Sequence, residues 1–155
     1  MIVVATAEDA YSVHEVMMAA FEEYRHIDVP SSALEETIES IRHALSSGKE
    51  GAVLYMQDNT SVASARFQLR EEHLYFSRLS VRPEAHGKGV AKAILLWLEK
   101  HAREHGKEEI LCQVRMSVPQ NIALYRSVGY EVYQEEVVVK PNGSEVLTCY
   151  MKKRF

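Results

Sequence analysis

The sequence predicts an α/β (α+β) fold, a single mixed and mostly antiparallel sheet of about seven strands with helices on both faces. Three observations predict it. Between residues 51 and 81, three strand-like runs follow one another through short turns, which makes them antiparallel neighbours. An amphipathic segment opening at Val90 then leads to another strand-like run at residues 110–115. A helical crossover of that kind returns the chain parallel to the strand it left. Two further helix-like segments precede the sheet, and a short one interrupts its last third. Residues 1–155 read as one domain, with no repeat, linker or low-complexity segment.

Taken in order, residues 2–5 are an apolar run that reads as a first strand. Thr6 and Asp9 form a capping pair, and the helix they open carries Val13, Val16, Met17, Ala20 and Phe21 on one face. It should run out near Tyr24, Arg25 and His26, with Pro30 enforcing the break. Ser32 and Glu35 read as a second capping box, opening a helix with Leu34, Ile38, Ile41 and Leu45 inward and Gly48 at its C-terminal cap.

Residues 52–56 and 62–69 are strand-like and joined at Asp58-Asn59, which favours a tight hairpin. After a turn at Glu71-Glu72 comes a strand over residues 74–81, which Pro83 must end because proline cannot donate to a ladder. From Val90, the residues Ala91, Ile94, Leu95, Leu98 and Ala102 mark one apolar helical face, closed by Gly106. Pro119 suits the first turn of a short helix ending at Ser127 before Gly129. Strands at residues 130–139 and 146–151 follow, turned by Pro141-Asn142-Gly143.

Composition narrows the function classes. Apolar residues make up 46% and charged residues 26%, with a formal charge of -4 and both signs interspersed, so nothing points to a nucleic-acid partner. No apolar run reaches the roughly 20 residues that span a bilayer, and the start MIVVATAEDA lacks a basic n-region. Cys112 and Cys149, both in strand-like runs, are too few for a disulfide framework, so a cytoplasmic location is expected.

The stretch from Leu79 to Ala102 is where chemistry is most legible. A strand breaks at Pro83, turns through Gly87 and Gly89, and becomes a helix whose unpaired N–H groups and positive dipole end face outward. Such a terminus suits phosphate, and Lys88 adds a cation. Read alone, the turn is equally an ordinary strand–turn–helix connection. About thirty residues on, VPQNIALYRSVGYE places Asn121 and Tyr125 four apart on one side of a short helix. Read alone, Ala123, Leu124 and Val128 are core and Tyr125 is a boundary aromatic.

Together the two stretches resemble the GNAT superfamily of acyl-CoA-dependent N-acyltransferases. The family pattern is Arg or Gln, two residues, Gly, one residue, then Gly or Ala. It corresponds here to His86-Gly87-Lys88-Gly89-Val90-Ala91, and the downstream element to Asn121, Ala123-Leu124-Tyr125 and Gly129-Tyr130. Element order agrees along nearly the whole chain, the first sixty residues in pattern only. His86 departs from the usual Arg or Gln; it retains a hydrogen-bond donor, so the departure bears on affinity more than on function.

The resemblance implies acetyl-CoA as cosubstrate, no metal, and an amine acceptor, small molecule or peptide. Backbone groups of Leu79, Ser80 and Val81 would pair with the pantetheine arm. The N–H groups of Gly87, Lys88, Gly89, Val90, Ala91 and Lys92, beside His86, would hold the pyrophosphate. Asn121 would hydrogen-bond the cofactor arm, and Tyr125 would protonate the leaving thiolate. No base is named: Glu72, His73 and a water held by Ser77 are all candidates. No nucleic-acid or membrane partner is expected, and a homodimer is left open. A non-catalytic acyl-CoA sensor or scaffold of the same fold is the alternative function.

Other readings of the same residues fit less well. Gly87-Lys88 is followed by Gly89, not the Ser or Thr of a nucleotide P-loop, and Lys92 occupies the third position of a dinucleotide fingerprint. His101-Ala102-Arg103-Glu104-His105 matches a metalloprotease string, but its histidines lie on the apolar side of the helix end, where packing is commoner. Cys112 lacks the His and Asp support an acyl-cysteine would need.

Overall fold

The computed structural model describes residues 1–22, 32–116 and 119–155. Seven strands, β1 (Ile2–Val4), β2 (Gly51–Gln57), β3 (Thr60–Leu69), β4 (His73–Val81), β5 (Glu109–Arg115), β6 (Glu131–Val139) and β7 (Glu145–Arg154), form one sheet in the order β1-β2-β3-β4-β5-β7-β6. The helices are α1 (Ala10–Phe21), α2 (Ile38–Ser46), α3 (Val90–Glu104) and α4 (Pro119–Ser127). Every strand pair is antiparallel except β4 with β5, which α3 connects as a crossover.

Alternation along the strands gives the sheet two packed faces. Ala52 and Leu54 of β2 pack with Ala10, Val13 and Met17 of α1 and Ile41 of α2. Val53 points the other way and joins Ala63, Ala65 and Phe67 of β3, Leu74 and Phe76 of β4, and the inward row Ile94, Leu95 and Leu98 of α3. The predicted placing of helices on both faces is therefore observed.

The turn chemistry is as the residues demand at the first hairpin. Gln57 pairs with Thr60, and Asp58 and Asn59 both take positive φ (51° and 62°), as a two-residue type I′ turn requires. At the last hairpin Val139 pairs with Glu145, so the loop around Pro141-Asn142-Gly143 is longer, and the Asn142 side-chain oxygen Oδ1 accepts from the Ser144 N–H at 2.9 Å.

The start of the second helix differs from expectation. Ser32–Glu35 is only a short 3₁₀ turn, so Leu34 lies outside the helix, which begins at Ile38. Its cap is a reciprocal pair that the Glu-based rule does not anticipate. Thr37 Oγ1 accepts from the Ser40 N–H at 3.1 Å, and Ser40 Oγ accepts from the Thr37 N–H at 3.2 Å. Thr6 and Asp9 do pair, with the Thr6 N–H donating to Asp9 Oδ2 at 2.8 Å, although the first turn they open is 3₁₀ (Ala7–Asp9) before α1 begins. The expected end at Tyr24, Arg25 and His26 and the break at Pro30 lie outside the described residues.

The feature that positions the site is in β4. Ser77 pairs with Arg66 and Ser80 with Ser64, so Arg78 and Leu79 together oppose Ala65 in a β-bulge, with Arg78 at φ 54°. On the other side, β4 pairs with β5 only through residues 73–76 against 109–112. Beyond Phe76 the two strands part, and the backbone of residues 79–81 on the β5 side has no ladder partner among the described residues.

Candidate active site

Into that parting faces the beginning of α3. Pro83 starts a 3₁₀ turn (Pro83–Ala85), and Ala85, 3% exposed, anchors it in the core. His86 is extended, and Gly87 and Gly89 then take φ of 75° and 76°, a left-handed conformation that costs an L side chain about 1–2 kcal/mol. A Cβ added at either glycine would meet nothing within 4 Å, so the space before the turn is open. The first intrahelical bond runs from the Ala93 N–H to the Gly89 carbonyl at 3.0 Å, and no side chain caps the terminus. The N–H groups of Val90, Ala91 and Lys92 are thus the helix's orphan donors, at its positive end.

These groups border a cleft of about 550 Å³. Its walls are the end of α1 (Ala20, Phe21), Leu79 and Val81 of β4, the turn residues His86, Gly87 and Gly89, residues 90–92, and Asn121, Leu124 and Tyr125 of α4. Most residues singled out from the sequence therefore converge on one cleft. Ser80 and Lys88 do not line it: the Ser80 side chain is buried, its hydroxyl donating to the Arg78 carbonyl at 2.9 Å, and Lys88 is exposed. His86 uses its hydrogen-bonding capacity on the turn itself. Nε2 lies 3.0 Å from the Val81 carbonyl, which only accepts, so that nitrogen carries the proton.

A second cavity of about 370 Å³ adjoins the first. Phe21, Leu79, Asn121 and Tyr125 line both, so Tyr125 stands at their junction. Its ring is 7% exposed, edge-on to Phe76 at 5.7 Å and 5.8 Å from Tyr130. Tyr130 lies deeper, and burial raises its hydroxyl pKa far above the ordinary phenol value, which leaves it a neutral packing partner.

The second cavity also holds charges that sequence reasoning missed. Arg66 points from β3 to the α1 side of the sheet, only 5% exposed, 2.5 Å from Glu36 and 3.6 Å from Glu50. Glu36 also reaches Arg78 at 3.3 Å, tying the bulge to the segment that enters α2. Arg115, at the end of β5, is half-buried; burial first, then the Arg78 charge, lowers its pKa from the ordinary value. Lys140, just after β6, completes the cationic lining. An arginine inside the apolar run VASARFQL was the one available signal, since alternation places Arg66 and Ser64 on the same face. Nothing local marks Arg78 for a bulge.

Of the candidate bases, Ser77 lines the second cavity. Glu72 and His73 sit at the opposite end of β4, where His73 pairs with Glu109, and line neither cavity. His101 of the metalloprotease-like string stacks on Trp97 at 4.7 Å and meets Phe67 edge-on at 5.0 Å. Among the described residues no three His, Cys, Asp or Glu side chains gather to hold a metal ion. Cys112 is buried in the α3-side core, which pushes its thiol well above the ordinary range and away from nucleophilic thiolate. No helix among the described residues is long and apolar enough to cross a membrane.

Comparison with known proteins agrees with this geometry. Over its full length the fold is similar to a ribosomal-protein-alanine N-acetyltransferase from Brucella melitensis (TM-score 0.75, 21% identity, covering 100% of this chain and 99% of that one). It is also similar to the PaiA N-acetyltransferase from Thermoplasma acidophilum, crystallised with coenzyme A (TM-score 0.79, 18% identity, covering 100% and 99%). In sequence, 59 residues are 34% identical to a mycothiol acetyltransferase from Saccharomonospora viridis, a stretch that takes in 38% of this chain and 19% of that relative. The model of the acetyltransferase (GNAT) family matches residues 11–130. That match spans most of the sequence, both glycines of the turn and Tyr125, and the chain belongs to the acetyltransferase (GNAT) family.

Proposed function

We propose that this chain is an N-acetyltransferase that moves an acetyl group from acetyl-CoA to a primary amine of a small molecule or peptide by direct attack, and that residues 1–155 form one such domain. The observation that carries the reading is the uncapped start of α3, opening on a cleft that continues past Tyr125 into a second cavity. The cleft fits the donor: three orphan N–H groups and two glycines facing open space suit a pyrophosphate. Residues 79–81, unpaired on the β5 side, suit the amide-bearing arm as an added strand. The coenzyme A in the Thermoplasma structure supports the same assignment.

Acetyl-CoA supplies an activated acyl carbon as a thioester. The acceptor nitrogen bonds to that carbon as the carbon–sulfur bond breaks, the sulfur leaving as thiolate and the nitrogen giving up a proton to solvent water. Tyr125, at the junction, would donate its phenolic proton to the sulfur, and Asn121 beside it would orient the arm. Both cysteines are buried and free, which fits a reducing compartment and hence a cytoplasmic location.

The test has two stages. Acetyl-CoA at about a hundred times its dissociation constant should add roughly 2.7 kcal/mol and raise the melting temperature by roughly 5–10 °C. No shift with acetyl-CoA, CoA or dephospho-CoA at millimolar concentration would overturn the donor site. A shift without thiol release across a broad amine panel would instead leave a non-catalytic acyl-CoA-binding module.

A further inference from the structure

We propose that this chain forms a two-fold dimer through the free edge of β6, with Val138 facing Val138 of a second copy on the axis. β6 ends the sheet order, so its outer edge meets no strand among the described residues. The Lys140 N–H donates inward to the Ser144 carbonyl at 2.8 Å, and the direction of the backbone groups alternates along a strand. With Val138 paired to Val146 and Glu136 to Thr148, Val137 and Val139 therefore present their N–H and carbonyl groups outward. Such a row is a template for another strand. Apolar exposure coincides with it. Val137 is 54% exposed, Val139 64%, and Leu147, opposite Val137 on β7, 48%, and alternation puts all three on one face.

The charges select both the occupant and the register. A two-fold axis lays β6 antiparallel against itself, and outward-facing odd-numbered residues must meet odd-numbered ones to exchange hydrogen bonds. Centred on Val138, the axis sets Val137 opposite Val139 twice and Glu136 opposite Lys140 twice. Opposite charges so placed stabilise a strand pair. Neither side chain has an ion pair among the described residues. Glu136 accepts from the Tyr150 hydroxyl, and its carboxylate has further lone pairs to offer. Centring on Glu135 or Glu136 would bring like charges face to face, and centring on Val137 would put Lys140 opposite Gln134. Centring on Val139 would set Val137 against Pro141, which has no N–H to give. The start of the edge is blunted by Glu131, Glu135 and a bulge between Val132 and Gln134. The strand is thus its own complement at one register. Val138 and Lys140 also line the second cavity, so the dimer sets Glu136 and Val138 of the second copy at that cavity's outer rim. The inference rests on the strand edge and holds whether or not the chain turns over acetyl-CoA.

Sedimentation equilibrium from micromolar to millimolar protein tests this. The contact is short, so a reversible monomer–dimer equilibrium is expected within that range. Glu136→Lys sets lysine opposite lysine at both ends and should weaken association by about tenfold. Lys140→Glu should do the same, and the two together, which restore both pairs, should recover it. Unchanged melting temperatures show that the folds are kept. Val138→Cys adds a thiol on the axis, Cys112 and Cys149 being buried. Mild oxidation should link two copies, because directly opposed residues of such a pair lie within reach of disulfide geometry. Gln134→Cys, far from its copy at this register, should stay unlinked. A monomer at every concentration overturns the proposal. So does a dimer indifferent to the charge exchange, or equal cross-linking at both positions, since either puts the contact elsewhere.

Discussion

Replacing Glu36 by Gln keeps size and hydrogen-bonding capacity and removes one charge, which makes it a clean probe of the network under the second cavity. In the native protein Glu36 faces Arg66 at 2.5 Å and Arg78 at 3.3 Å, and the Arg66 side chain is 6% exposed. Breaking a buried pair costs about 3–5 kcal/mol because a charge is left without compensation. Two features reduce that here. Glu50 remains 3.6 Å from Arg66, and the Glu36 and Arg78 side chains are 22% and 25% exposed. A loss of about 2–3 kcal/mol is therefore expected, read as a fall of roughly 5–10 °C in melting temperature for a chain of this size. Chemical denaturation of the single variants and of Glu36→Gln with Arg66→Met completes a cycle. Since Arg66→Met removes the charge that Glu36→Gln strands, the double variant should be more stable than the sum of the singles by at least about 1 kcal/mol. A Glu36→Gln melt within a degree of the native protein, or strict additivity, would refute the view that this network holds the bulge to α2.

Tyr125→Phe keeps the ring contacts with Phe76 and Tyr130, so stability and the acetyl-CoA melting shift should hold while kcat falls by a factor of order 10²–10⁴ at nearly constant KM. Unchanged turnover with chemistry rate-limiting would make Tyr125 a packing residue. Gly89→Val places a branched side chain at φ 76° in the mouth of the cleft; the folded variant should lose the acetyl-CoA shift, and normal binding would reduce the turn to a connection. His73 and His101 are both held below their ordinary pKa of 6.5, chiefly by burial. Because the folded state favours their neutral forms, their contribution is full above pH 6.5 and lost as the pH falls through the lowered values. Melts between pH 7.5 and 5 should therefore decline more steeply for the native protein than for His101→Gln; parallel slopes would remove His101 from the account.

How much of this was legible follows the distance over which each feature is determined. The Asp58-Asn59 hairpin, the glycine turn and the helix bearing Asn121 and Tyr125 are each set by a few adjacent residues, and all stand where the local pattern puts them. The cap of α2 is also local, but Ser40 answers Thr37 where a Glu was sought, so the helix starts later than Ser32 and Glu35 suggest. The second cavity is another matter. Glu36 meets Arg66 across 30 residues of sequence and Arg78 across 42, and these contacts depend on a bulge that no glycine announces. Arg115 and Lys140 join only because β7 pairs with both β5 and β6, bringing the chain's last strands to the parting after β4. The first cleft is organised around a strand end, a turn and a helix start that are contiguous, which is why a motif can mark it. The charged cavity is assembled from β3, β4, β5 and the ends of α2 and β6, so no single window of sequence contains its chemistry, and it becomes readable only in the folded chain.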